Sequence, residues 1–178
     1  GTSPTTEPAP PAPVNEAVRA AILEALADEQ LGEAVYARVL KDHGDVRPFS
    51  NVIRAERRHA GLLEALLEAR GLSVPAAAVP ADVPAYAGVK EACAAAVEFE
   101  AKNVALYDRL LATGTTAGGP SSAGQLPEDV KRAFEHNRMA SLDHHKPAFE
   151  RCAGVASARG PGRGVGRGRG GSTASREA

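Results

Sequence analysis

The sequence of 178 residues has no tryptophan and few aromatic residues, with only three Tyr and four Phe. Its apolar content of 43% comes mainly from Ala and Leu. This composition favours closely packed helices over a β-sheet, because sheets use more β-branched and aromatic residues. No run of 18 apolar residues occurs, so the sequence predicts no membrane-spanning helix. The net charge of −1 argues against a nucleic acid or a membrane surface as the partner of the whole chain.

Proline and glycine are concentrated outside a central region. Residues 1–14 contain five Pro and are predicted to form a disordered tether. Residues 155–178 are rich in Gly, Arg and Ser and are predicted to form a disordered tail. Residues 15–154 are therefore expected to form a single all-α domain, which is long enough to bury one core.

Within that domain, apolar residues recur at helical spacing in four stretches. The predicted helices cover about 15–43, 48–70, 86–113 and 127–153. Residues 71–85 contain three Pro and are long enough to cross between two helical hairpins. We therefore predict an antiparallel four-helix bundle with a long crossover between its second and third helices. Pro147 is predicted to kink the last helix or weaken one of its turns.

Two segments of the sequence occur twice, in the same order. Residues 29–40 match residues 100–111, and each copy begins with Glu and has Tyr seven residues later. Residues 49–59 match residues 134–144, but Glu-x-x-His in the first copy becomes Ser-x-x-His in the second. The repeat indicates an approximate two-fold relation between the hairpins, with one carboxylate missing from the second.

The repeated segments carry acidic and imidazole side chains on apolar faces. Glu56 and His59 lie one turn apart on such a face, because each residue turns a helix by about 100°. Glu29, Glu100 and His144 occupy similar positions on the other three helices. A carboxylate buried without a partner is costly, so the sequence predicts either an interior metal ion or a metal-free hydrogen-bonded layer. These donors suit iron or manganese, and they also accept zinc.

The pattern resembles the ferritin-like superfamily, in particular rubrerythrin-type bundles and small ferritin-like domains of unknown function. In that superfamily a Glu from each of two helices joins a Glu-x-x-His motif from each of the other two. The resemblance covers residues 15–152. The matching positions are Glu29, Glu100, Glu56, His59 and His144, with Ser141 in place of the fourth Glu. The resemblance implies an iron site that reacts with dioxygen or peroxide, as in a ferroxidase or a peroxide scavenger.

Ser141 is the departure from this pattern, because a hydroxyl cannot bridge two metal ions as a carboxylate does. The resulting site is expected to be either binuclear with unequal ligation or mononuclear. Glu33 lies one turn beyond Glu29, about 6 Å further along the helix axis, and supplies the missing charge only if the metal position shifts. An alternative register pairs His145 with Leu142, which offers no ligand.

The remaining histidines and the tyrosines have simpler interpretations. His43, His136 and His145 are predicted to lie at the surface. Tyr36 and Tyr107 are predicted to be core residues whose hydroxyl groups are satisfied by hydrogen bonds.

Cys93 lies seven residues before Glu100, and Cys152 lies eight residues after His144. In antiparallel helices both displacements run the same way, about 10.5 and 12 Å from the metal level. We therefore predict a disulfide or a close thiol pair, with two buried free thiols as the alternative. Because disulfides persist outside the cytosol, and the Pro-rich tether begins at Gly1, we expect an extracytoplasmic or secreted protein. A cytoplasmic location is the alternative.

The partners follow from the site and from the tail. Arg-Gly repeats at 162–170 resemble RGG-type segments that contact RNA and other polyanions, and the alternative is a solvated tail without a partner. Metal ions and dioxygen or peroxide are the other expected partners, with a homodimer as a candidate assembly. A metal-free structural or interaction bundle is the alternative from a different functional class.

Overall fold

The computed structural model describes residues 15–78, 80–113 and 126–155, and every regular element in these ranges is helical. The all-α prediction is confirmed for this part of the chain. The elements are α1 (Glu16–His43), α2 (Phe49–Glu68), α3 (Val89–Thr113), α4 (Glu128–Ala140), a π-helical turn (Ser141–His145) and α5 (Lys146–Ala153). None of the helices in these ranges is long and apolar enough to cross a membrane. The predicted tether, the loop at 114–125 and the Arg-Gly repeats lie outside the described residues.

Local signals set the helix ends close to their predicted positions. The side chain of Asn15 caps α1 by accepting a hydrogen bond of 2.9 Å from a backbone N–H of the first turn. α1 ends at Gly44, whose φ of 81° is a conformation that glycine adopts readily. α2 begins directly after Pro48. The described residues between α2 and α3 contain no helix, as predicted for the crossover.

Neighbouring helices that contact one another run in opposite directions. α1 packs along α2, and α3 packs along α4 and α5, while α1 also contacts α3 and α2 contacts α4. The ion pair of Glu33 with Arg57 joins the second half of α1 to the first half of α2. In the same way, the ion pair of Asp108 with Arg138 joins the last part of α3 to the first half of the helical segment formed by α4, the π turn and α5.

Two apolar clusters lie at successive levels along the helices. The first contains Ile22, Leu63 and Phe134, and the second contains Phe49 and Phe149. Every helix contributes a side chain to at least one of the clusters. Between them lies a layer of buried polar side chains, so this layer is shielded from solvent on both sides along the helix direction.

The α-helix gives way to a π turn just before Pro147. The backbone N–H of Lys146 donates to the carbonyl of Ser141, five residues earlier. Pro147 has no N–H, and its ring would crowd the carbonyl four residues back in a regular α-helix. The wider π turn accommodates this requirement. The predicted effect of Pro147 is therefore confirmed, and the distortion falls in the turn that precedes it.

A disulfide joins α3 to α5. Cys93 and Cys152 are bonded, with their Cα atoms 5.8 Å apart, and Cys93 is fully buried. The predicted pairing is confirmed. The bond closes a loop with a sequence separation of 59 residues, so it holds the last helical segment against the apolar cluster around Phe149.

Reduction of this disulfide is expected to lower the free energy of unfolding by about 4 kcal/mol, the chain-entropy value for a loop of this length. Urea unfolding of the oxidised and reduced wild-type protein measures the difference without a substitution. Equal unfolding midpoints, together with two titratable thiols in the untreated protein, would contradict the assignment.

Candidate metal centre

Five buried side chains converge in the polar layer, and none is more than 5% exposed. They are Glu29 on α1, Glu56 and His59 on α2, Glu100 on α3, and His145 at the end of the π turn. They form two groups that can each hold a metal ion, with the three ligand atoms of each group within 4.8 Å of one another. Glu29, Glu56 and His59 form one group, and Glu56, Glu100 and His145 form the other. Glu56 is common to both.

The distances between ligand atoms suit shared cations. His59 Nδ1 lies 3.3 Å from Glu29 Oε2 and 3.8 Å from Glu56 Oε2. His145 Nδ1 lies 3.1 Å from Glu56 Oε1 and 3.5 Å from Glu100 Oε2. Donors bound to one ion at about 2.0–2.2 Å are separated by about 3 Å or slightly more. The two oxygens of Glu56 therefore face different histidines, as they would in a carboxylate that bridges two ions.

Five polar atoms of this layer have no hydrogen-bond partner within the described part of the chain: Glu56 Oε1, Asn103 Oδ1, Asn137 Oδ1, Ser141 Oγ and His145 Nδ1. The first and last of these lie 3.1 Å apart but are not aligned as a hydrogen bond. Buried polar atoms are nearly always paired. A cation satisfies a carboxylate oxygen and an imidazole nitrogen together, so the donor set fits a metal ion.

The structure places His145, rather than His144, in the ligand group. His144 is exposed, whereas His145 is 5% exposed. In a regular α-helix the residue three positions after Ser141 returns to the same face, which is why the sequence pattern selected His144. The π turn requires one more residue per turn, so His145 returns to that face instead. The predicted surface position of His145 is wrong for the same reason.

Two tyrosines connect the halves of the repeat. Tyr36 Oη donates a hydrogen bond of 2.6 Å to Glu100 Oε1. Tyr107 Oη donates one of 2.5 Å to Glu29 Oε1. Burial, reinforced by the neighbouring carboxylates, holds the pKa of both phenols well above the ordinary value, so both remain donors. The prediction that these tyrosines are buried and hydrogen-bonded is confirmed.

Two buried asparagines, which sequence reasoning missed, extend the polar layer on one side. Asn137 Nδ2 donates to Tyr107 Oη at 2.9 Å, and Asn103 Nδ2 donates to Asp28 Oδ2 at 2.8 Å. Burial raises the pKa of Asp28 to about 6. The spacing in the sequence could have indicated the buried position of Asn103, because Asn103 lies one helical turn after Glu100 and therefore shares its inward face.

The other candidate residues lie outside the centre. Glu33 Oε1 accepts a hydrogen bond of 2.6 Å from Arg57 Nε at a partly exposed position, so Glu33 does not replace the missing carboxylate. His136 is exposed, as predicted, and its ring meets the His59 ring edge-on at 5.9 Å. His43 is half-buried and contacts a backbone carbonyl of the crossover.

The charges of the layer depend on one another. Burial raises the pKa of Glu29 to about 7. Burial acts in the same direction on Glu56, but contacts with His145 and His59 outweigh it and lower the pKa of Glu56. For the imidazoles, burial is outweighed by the neighbouring carboxylates, which raise the pKa of His59 to about 9 and that of His145 to about 10. A metal ion must displace these protons, so binding is expected to release protons.

Comparisons with known proteins support the fold but do not name a function. No family model matches the chain, and no curated protein matches it. A crystal structure of a conserved hypothetical protein, rv2844, from Mycobacterium tuberculosis is similar, with a TM-score of 0.61 and 18% sequence identity. The similarity covers 82% of this chain and 96% of that chain. At this identity the likeness shows the fold alone.

The adjacent histidines provide a matched pair for testing the site. His145→Ala is expected to weaken binding of Mn²⁺ by roughly 100-fold, because loss of a ligand should cost at least as much as loss of a residue that orients one. His144→Ala is expected to leave binding unchanged, since its side chain is exposed. Calorimetric titration of the two variants with Mn²⁺ makes the comparison. The reverse order of effects would return His144 to the ligand set.

Proposed function

We propose that this protein is a ferritin-like metal-binding protein whose buried centre holds iron. The observation that carries the proposal is that two buried ligand groups have Glu56 in common. A carboxylate placed between neutral imidazoles in an apolar interior is costly unless a metal cation compensates for its charge. A binuclear centre bridged by Glu56 uses every donor of both groups, whereas a mononuclear centre would use only one group.

The ferritin-like arrangement is part of the proposal. The antiparallel contacts of α1 with α2 and of α3 with α4 support two helical hairpins, which the non-helical segment after α2 connects. The crossed hydrogen bonds of Tyr36 with Glu100 and of Tyr107 with Glu29 support a two-fold relation between the hairpins. Such a bundle uses one Glu from each of two helices and a Glu/His pair from each of the others. This chain offers that set except at Ser141.

The donor set decides which ions are expected. Three carboxylates and two imidazoles favour iron or manganese, and they also accept zinc. With neutral imidazoles, Glu29, Glu56 and Glu100 supply three negative charges, so two divalent ions would leave one positive charge uncompensated. The hydroxyl of Ser141 cannot neutralise it. We therefore expect a small anion from solvent, such as hydroxide, to complete a binuclear centre.

If Glu29, Glu56, His59, Glu100 and His145 held ferrous iron, the iron would supply electrons to dioxygen or peroxide, which is the chemistry that the resemblance implies. The residues of this chain prepare the site for it. Tyr36 and Tyr107 orient the carboxylates of Glu100 and Glu29 through short hydrogen bonds. Apolar clusters on both sides exclude bulk water, which strengthens the attraction between a cation and its ligands.

A metal-free structural bundle is the second candidate, and the hydrogen bonds of the layer favour it. Tyr36 and Tyr107 already bind two of the three carboxylates, and protonated His59 and His145 would compensate their charge. This candidate leaves Glu56 Oε1 and His145 Nδ1 without a hydrogen bond although they lie 3.1 Å apart, whereas a metal ion would satisfy both atoms, which is why the metal centre is preferred. The disulfide supports an extracytoplasmic location for either candidate.

Metal binding is expected to stabilise the wild-type protein, and Glu56→Ala is expected to abolish the effect. At a metal concentration about 100 times Kd, the gain in unfolding free energy is about 2.7 kcal/mol. Anaerobic thermal unfolding with and without Fe²⁺ measures it, together with the iron content of protein purified without chelator. Glu33→Ala is the matched control, because that carboxylate lies one helical turn after Glu29, outside the centre, and pairs with Arg57. No bound metal and no stabilisation in the wild type would favour the structural candidate.

Reactivity is a separate prediction. Adding Fe²⁺ to the metal-free protein in air is expected to consume dioxygen faster than Fe²⁺ in buffer, and Glu56→Ala should reduce the rate to that of buffer. An oxygen electrode makes the measurement. Stoichiometric iron binding without faster consumption would show that the centre binds iron but does not oxidise it.

A further inference from the structure

An apolar groove of about 410 Å³ lies between α1 and α3. Its walls come from both helices and from the segment that precedes α3: Leu31, Val35, Ala95, Ala96, Phe99 and Tyr86. The two charged side chains that border it, Glu98 and Lys102, are exposed and of opposite sign, so the groove has no net charge to attract an ion. Concave apolar surfaces of this kind suit small uncharged ligands.

The Phe99 ring contacts both this groove and residues beside the metal centre. Phe99 lines the groove, and its ring centroid lies 5.9 Å from that of Tyr36, whose hydroxyl binds Glu100. The ring also packs on Gly32, where a Cβ atom would lie 3.0 Å from Phe99 Cε1 and 3.7 Å from Glu56 Cδ. The missing side chain at Gly32 therefore lets the Phe99 ring approach the shared carboxylate.

The internal repeat gives a comparison for this contact. The residue three positions after the inward Glu is Gly32 in the first copy and Asn103 in the second. The residue just before that Glu is Asp28 in the first copy and Phe99 in the second. The contacts between α1 and α3 pair Gly32 with Phe99 on one side of the centre and Asn103 with Asp28 on the other. One side is apolar, and the other is closed by a polar hydrogen bond.

We propose that dioxygen reaches the metal centre through this groove and that Phe99 is the gate. The inference rests on the proposed function, because it assigns the oxidant of that centre and its route. Dioxygen is small, uncharged and apolar, so it enters an apolar groove without giving up hydrogen bonds. Peroxide would have to give them up. The ring of Phe99 is half-buried at the edge of the second apolar cluster, so it can change rotamer more readily than the fully buried rings of that cluster.

The passage can be tested without metal. In NMR spectra of the metal-free protein, dissolved dioxygen causes paramagnetic shifts at the sites that it visits, relative to argon at the same pressure. We expect shifts at the methyl groups of Val35 and Ala95, continuing to the amide of Gly32. The side chain amide of Asn103 on the polar side should show less effect. Shifts that stop at the groove, or that are equal on both sides, would overturn the proposal.

Two variants alter the passage in opposite senses while leaving the ligands in place. Phe99→Ala removes the ring, and Ala95→Leu fills the groove at a half-buried position away from the centre. Leu106→Ala is the control for truncation, because Leu106 is a half-buried residue of α3 that packs on the other apolar cluster. If Phe99→Ala does not fold, Ala95→Leu alone decides the outcome.

Nitric oxide serves as an uncharged diatomic probe of the iron-loaded protein, and its association rate is measured by stopped flow. Phe99→Ala is expected to raise the association rate of nitric oxide by roughly tenfold. Ala95→Leu is expected to lower it by a comparable factor, and Leu106→Ala to leave it unchanged. Rates of reaction with peroxide should stay the same in all variants. Unchanged nitric oxide rates, or peroxide rates that follow the groove variants, would overturn the assignment to dioxygen. If the wild-type protein does not bind iron, the proposed function is contradicted instead. The NMR experiment on the metal-free protein still tests the dioxygen passage, so failure of the proposed function and failure of the passage can be distinguished.

Discussion

The burial of three carboxylates in one layer is the constraint on which the rest of the structure depends. Glu29, Glu56 and Glu100 are almost inaccessible to solvent, and each needs a partner whose favourable interaction exceeds the cost of removing a charge from water. Phenolic hydroxyls meet this need for two of them, from the opposite half of the repeat. Glu56 contacts the histidines and the Glu29 carboxyl, and one of its oxygens lacks a hydrogen bond. A cation between Glu56 and the histidines would resolve this deficit.

The second half of the repeat differs from the first in ways that act together. Ser141 removes one carboxylate, and the π turn that begins there presents His145 rather than His144 to the centre. Pro147 accounts for the turn physically, because it can neither donate a backbone hydrogen bond nor pack against a regular preceding turn. The candidate centre thus has a regular helical Glu/His pair on α2 and a displaced histidine at the end of the π turn. The repeat therefore does not produce two equivalent halves.

Patterns that depend on local spacing were predictable from the sequence. Helical periodicity gave the helices and their order, and equal displacements along antiparallel helices gave the Cys93–Cys152 pair. Glu29, Glu56, His59 and Glu100 point inward as their apolar faces indicated. His145 was missed because the prediction assumed about 100° per residue through a turn that has π geometry. Asn103 and Asn137 were missed because a single polar residue on a helix face is compatible with either an exposed or a buried position until its partner is known.

The central claim is that Glu56 is shared by two metal ions. Anomalous X-ray diffraction from crystals of the iron-loaded protein, recorded on both sides of the iron absorption edge, tests it most directly. The account predicts two anomalous peaks about 3.5–4 Å apart, the separation typical of two-metal sites, one on each side of the Glu56 carboxylate. His59 should be nearest to one peak and His145 to the other. Iron bound elsewhere, or an ordered layer without any peak at Glu56, would contradict the account.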